Sequence, residues 1–118
     1  MDKKSKRIFR HMRIRKKLHG TTEQPRLYVH RSIGNLYAQL IDDSSGKVLL
    51  GMSTLTKEMR KKIKDGGNVE AATLLGEAFA VKAKQQGVQK VCFDRSGYLF
   101  HGRVKAFAEA ARKGGMEF

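Results

Sequence analysis

After residue 25 the chain alternates. Arg26 to Ser32 sets Leu27 and Val29 against Tyr28 and His30, and Asn35 to Asp43 sets Leu36, Ala38 and Leu40 against Tyr37, Gln39 and Ile41. A period of two predicts strands with one face buried. The run Asp42-Asp43-Ser44-Ser45-Gly46 is a hairpin turn leading into a third strand, Val48 to Met52. The period then becomes helical. Thr56 to Lys64 is a short, Lys-rich, solvated helix closed by Asp65-Gly66-Gly67. Asn68 caps a longer one in which Val69, Ala72, Gly76, Phe79, Ala80 and Ala83 share a face and Gly87 is the stop. Val88 to Asp94 reads as a fourth, buried strand. Arg103 to Lys113 reads as a last helix with Val104, Phe107, Ala108 and Ala111 inward and Gly114 as terminator.

The order is βββαβα. Sequential strands joined by short turns pair antiparallel, whereas a strand reached through a helical crossover pairs parallel. The expected fold is therefore α/β, a mixed sheet covered by helices, with Leu27, Val29, Leu36 and Leu40 in its core. Pro25 sits just before the first strand, where no ladder hydrogen bond is asked of it. No internal repeat or second domain is evident.

Residues 1–22 do not belong to this pattern. The first twenty hold nine Lys or Arg and one acid, Asp2, while the whole chain of 118 residues carries a net charge of +14. Clustered cations displace counterions from phosphates and gain affinity without reading sequence, so the segment is a basic arm suited to polyanion and residues 23–118 form one α/β domain. Lys3, Lys6, Arg7, Arg10, Arg13 and Lys17 recur at steps of three and four, forming one helical stripe, with Ile8 and Met12 on another flank. Repulsion should leave the arm frayed and flexible in the free protein, becoming helical on RNA. A membrane surface is the rival use of such a helix, but its apolar flank is thin and lacks Trp. No apolar run approaches a membrane span or a signal-peptide core, which points to a cytoplasmic protein. The single cysteine, Cys92, lies in an apolar run and is expected to be a buried, inert thiol.

Candidate chemistry follows from residue type and spacing. Asp94 ends a strand and could serve as a catalytic carboxylate, a partner for Arg95 or a cap for the next turn. A metal-dependent nuclease would need converging carboxylates, and the first strand has none. His11, His19, His30 and His101 show no metal-ligand spacing, so no metal and no cofactor is expected. Gly66-Gly67-Asn68 lacks the residues of a nucleotide-binding loop and reads as a plain helix start. The loop from Arg95 to Arg103 differs in kind. It gathers Arg95, His101, Arg103, two glycines and two aromatics; Phe100 is expected to fold inward while Arg95, Tyr98, His101 and Arg103 face RNA. Tyr28, His30, Tyr37 and Gln39 form a second stacking face unless a helix covers it.

The runs Gly20 to Leu27, Tyr37 to Asp43, Gly67-Asn68, Phe93 to Ala106 (FDRSGYLFHGRVKA) and Gly114 to Phe118 together resemble one family, the L18 proteins of the bacterial large ribosomal subunit. Gln24, the turn Ser32-Ile33-Gly34-Asn35 and Phe100 depart from the usual pattern. The resemblance implies a ribonuclease-H-like core and a structural, noncatalytic role in the ribosome. It further implies binding to 5S rRNA, attachment of that RNA to 23S rRNA in the central protuberance, and contact with the other 5S-binding ribosomal proteins there. No membrane and no small-molecule substrate is implied. The RNA-binding set so expected comprises Lys3, Lys6, Arg7, Arg10, Arg13, Arg15, Lys16 and Lys17 in the arm. In the first hairpin it comprises Arg31, Ser32, Asn35, Tyr37 and Gln39, and in the loop Arg95, Tyr98, His101 and Arg103. A DNA-packaging protein would share the arm but would have no use for that loop.

Overall fold

The structure, a computed structural model, describes residues 2–118. Its elements are α1 (Lys3–Lys17), β1 (Arg26–Arg31), β2 (Leu36–Asp42), β3 (Lys47–Ser53), α2 (Lys57–Arg60), α3 (Val69–Gln85), β4 (Cys92–Asp94) and α4 (Gly102–Lys113). The sheet order is β3-β2-β1-β4, with β1 antiparallel to β2 and parallel to β4. This is the mixed α/β sheet that the alternation predicts.

The helices α3 and α4 cover one face. Leu27 and Val29 from β1, and Leu36, Ala38 and Leu40 from β2, meet Leu75, Phe79, Ala83, Phe107 and Ala111 in a fully buried core. Each such Leu or Phe stabilises the fold by roughly 1.5–3 kcal/mol relative to exposure. The rings of Phe79 and Phe107 meet edge to face at 5.8 Å. The two helices approach so closely at Gly76 that an added Cβ would lie 2.6 Å from the Phe107 carbonyl oxygen and 2.8 Å from Ala110 Cβ. Asn68 caps α3 by accepting from the Ala71 amide at 2.8 Å.

Five expectations need correction. The fourth strand is only Cys92–Asp94 long, because Val91 donates its amide to the Glu117 carbonyl and Lys90 bridges to Glu117. The chain's end thus takes the pairing expected of Val88 to Val91. The second helix has a single turn and is anchored, since Met59 is buried in the main core, whereas Val69 on α3 faces outward. Gly66 is also more than a helix start: an added Cβ would lie 2.5 Å from Asn35 Oδ1 and 2.8 Å from Thr54 Oγ1, so the segment passes tightly behind the first hairpin. Cys92 is half-buried, and burial raises its thiol pKa.

Candidate nucleic-acid interface

The other face of the sheet carries Arg26, Tyr28 and His30 from β1 and Tyr37, Gln39 and Ile41 from β2. At its β1–β4 side lies α1. The helix forms locally because Asp2 caps it, accepting from the Ser5 amide at 2.7 Å, a bond that lowers the Asp2 pKa. Arg15, Lys16 and Lys17 suit the negative end of its dipole.

A buried charge cluster fixes the underside of this helix. Asp94 at the end of β4 is fully buried, and its Oδ2 accepts from Arg26 Nη1 at 2.6 Å and lies 2.9 Å from His11 Nε2 on α1. Its Oδ1 accepts from the Ser96 amide at 2.9 Å. Arg26 donates twice more to Asp43, at 3.0 and 3.1 Å. Burial works against the Arg26 charge, but its hydrogen bonds to Asp43 and Asp94 prevail and raise its pKa, while the Arg26 bond holds Asp43 below the usual carboxylate range. Of the roles open to Asp94, two are realised, ion-pair partner and turn cap. The partner is Arg26 rather than Arg95.

The loop after β4 meets α1 backbone to backbone. Ser96 and Gly97 both have positive φ, 57° and 78°. Arg7 Nη1 donates to the Ser96 carbonyl at 2.9 Å and Arg10 Nε to the Gly97 carbonyl at 2.8 Å. A Cβ at residue 97 would overlap the Arg7 carbonyl oxygen and sit 2.8 Å from the His11 nitrogen, so only glycine allows this approach.

The two loop aromatics exchange their expected places. Tyr98 is only 7% exposed; its hydroxyl donates to the Arg31 carbonyl at 3.0 Å and lies 3.2 Å from His30 Nδ1. Guanidiniums of Arg7 and Arg31 lie 4.7 and 4.8 Å from its ring centre. Phe100 is 39% exposed, edge-on to Phe93. The tyrosine is drawn inward because its hydroxyl finds hydrogen-bond partners there and two cations pack on its ring. Tyr98 is therefore a buried brace between α1 and β1, not an outward stacking residue. Burial and then the charge of Arg7 lower the His30 pKa.

Two basic clefts flank α1. One, of about 560 Å³, runs between Lys3, Lys4, Lys6, Arg7 and Arg10 and the segment Tyr98, Leu99, His101 and Gly102, with Arg31 at its side. The other, of about 450 Å³, is lined by Arg10, Arg13, Ile14, Lys16, Lys17 and Arg95. Most of the arm and loop cations singled out by spacing are thus brought together, and Lys4, which the stripe leaves out, joins them. The first hairpin is placed otherwise. Asn35 accepts from Thr54 Oγ1 through its side chain and from Arg103 Nη1, at 3.3 Å, through its carbonyl, while Ser32 Oγ closes the turn by accepting from the Asn35 amide. Tyr37 and Gln39 are half-buried on the sheet face beyond α1, with the Tyr37 ring 5.9 Å from that of His30. Arg15 donates to the Leu18 carbonyl and lies 3.5 Å from Asp43. Among the described residues, no group of three His, Cys, Asp or Glu is placed to hold a metal ion. Among the described residues, no helix is long and apolar enough to cross a membrane.

Fold and charge together define a class: a small, strongly basic α/β protein whose cations line clefts on either side of a surface helix. Comparison with known proteins narrows this. The family described as "Ribosomal L18 of archaea, bacteria, mitoch. and chloroplast" matches residues 1–118. The chain is 53% identical over 117 residues to large ribosomal subunit protein uL18 of Pelotomaculum thermopropionicum, covering 99% of this chain and 96% of that one. It is 55% identical over 118 residues to the protein of the same name from Coxiella burnetii, covering all of both chains. The chain belongs to the ribosomal L18 family, which is structural and non-enzymatic.

Proposed function

We propose that this protein, as a structural constituent of the large ribosomal subunit in the cytoplasm, binds 5S rRNA and helps attach it to 23S rRNA in the central protuberance, beside the other 5S-binding proteins. The observation that carries the reading is the pair of basic clefts along α1, which share Arg10 and set the arm cations beside His101 in one and Arg95 in the other. The RNA-binding set keeps the arm cations with Arg31, Arg95 and His101. Arg103 and Asn35 act chiefly by holding the hairpin against α4, while Tyr37 and Gln39 offer a more distant contact. The α1 segment, docked on the domain, adds electrostatic grip, and the domain adds shape selectivity.

The test is competition binding at physiological salt between 5S RNA, an unrelated structured RNA of equal length and duplex DNA. The expected result is preference for 5S RNA. Arg95→Ala should weaken that binding by roughly 1–3 kcal/mol without altering the melting temperature. Equal affinity for all three polyanions would overturn the reading.

A further inference from the structure

The docked side of α1 is set by Arg7, Arg10 and His11, which hold the Ser96 carbonyl, the Gly97 carbonyl and Asp94. At 3.6 residues per turn, Ile8, Phe9 and Met12 fall on the opposite, outward side. They are 43%, 52% and 56% exposed. Apolar side chains on an outward helix face call for an occupant, and the surroundings select one. The helix contains no acidic residue in Lys3–Lys17. Lys6 and Arg13, one turn to either side of Phe9, are both exposed. An acid-free collar repels a second copy of this chain and attracts polyanion. Among polyanions, only one with an accessible aromatic face gains from an exposed phenyl ring.

We propose that Phe9, extended by Met12 and bracketed by Lys6 and Arg13, is a stacking platform for an unpaired RNA base, with the two cations on the phosphates to either side of it. Every base has a π-face, so the platform recognises unpaired structure rather than sequence. It rests on the reading that the protein binds RNA, and it adds a contact on the solvent side of α1 that neither cleft provides. Paired bases keep their faces within the duplex stack, so a regular duplex cannot use the platform.

The protein contains no Trp. A Phe9→Trp variant therefore carries a single indole at the platform. Its emission should be quenched when 5S RNA, or a hairpin RNA with an unpaired loop, is added, and not when a fully paired RNA is added. Fluorescence anisotropy of labelled RNA reports binding in the same samples. Phe9→Leu keeps apolar bulk and loses the ring, so it should bind looped RNA roughly 5- to 150-fold more weakly than Phe9→Trp, with little change on the duplex. RNA bound with unquenched Trp, or a Phe9→Leu variant as tight as Phe9→Trp, would overturn the platform and leave the apolar face to a protein neighbour. Absence of RNA binding by the unsubstituted protein would instead sink the function itself.

Discussion

Asp94→Asn is nearly isosteric and changes no apolar surface, so its effect isolates the buried charge cluster. In the native protein every acceptor on this side chain faces a donor: Arg26 Nη1 at 2.6 Å and His11 Nε2 at 2.9 Å on Oδ2, and the Ser96 amide at 2.9 Å on Oδ1. An asparagine must turn an N–H₂ group toward one side or the other, setting donor against donor in a site with no solvent access. Breaking a buried ion pair by removing one partner costs about 3–5 kcal/mol. Arg26 keeps its two bonds to Asp43, which shifts the expected loss to about 2–3 kcal/mol. For a chain of this size that lowers the melting temperature by about 10 °C. Urea denaturation followed by circular dichroism gives the free energy directly, and an unchanged slope shows that the denatured state is unaltered. Asp43 is less buried and leaves Arg26 its strongest bond, so Asp43→Asn should cost about 1 kcal/mol. If Asp94→Asn costs less than about 1 kcal/mol, or no more than Asp43→Asn, the cluster does not anchor the fold as argued.

The remaining predictions concern α1. Gly97→Ala should displace the helix from the loop with little loss of core stability, seen as faster amide exchange in residues 3–17 and weaker RNA binding; unchanged exchange would contradict the close approach at Gly97. Neutralising Lys3, Lys4, Lys6, Arg13, Lys16 and Lys17 together with Gln should flatten the slope of log affinity against log salt by about 4 to 5, using about 0.7–0.9 per phosphate contact; an unchanged slope would assign the arm to a protein neighbour. Deleting residues 2–17 should raise the His30 pKa toward its ordinary value, because both burial and the charge of Arg7 depress it, and an NMR titration checks this. A histidine whose folded pKa is depressed contributes stability above about pH 6.5 that is lost as pH falls through the folded pKa, so the deletion should flatten that part of the stability profile.

What could be read from the sequence was what neighbouring residues decide. The alternation in Leu36 to Ile41 and the helical spacing of Ala72, Phe79 and Ala83 each report burial on one face, and those elements form where expected. The stripe of cations in the arm does mark a helix, but one formed and docked without RNA rather than frayed, because Ser96, Gly97 and Asp94 hold its inner side. Features decided by distant partners were not legible. Val88 to Val91 has strand composition, but its pairing depends on Glu117, which reaches it only once α4 has brought the chain's end back. Tyr98 and Phe100 are two aromatics in one loop, and choosing the buried one requires knowing that Arg7, from the far end of the sequence, lies over the ring of Tyr98. Gly97 looks like an ordinary turn glycine; that it makes room for another helix's backbone has no local signature.

The way α1 is held also bears on what it can do. A helix with nine cations could be fixed to a domain by carboxylates, and each such pair would cancel a charge. Here Arg7 and Arg10 are bound by the neutral carbonyl oxygens of Ser96 and Gly97. A carbonyl orients a guanidinium without neutralising it and leaves its other N–H groups open to phosphate. Asp94, the carboxylate that His11 meets, is already paired with Arg26, and Asp43 is shared between Arg26 and Arg15. Docking therefore fixes the helix in direction while nearly all its positive charge remains, and both clefts inherit that charge at defined spacing. Electrostatic attraction and geometric order, which oppose each other in a free basic peptide, become compatible because Arg7 and Arg10 are held by backbone carbonyls and the carboxylates that also meet the helix are already paired with Arg26.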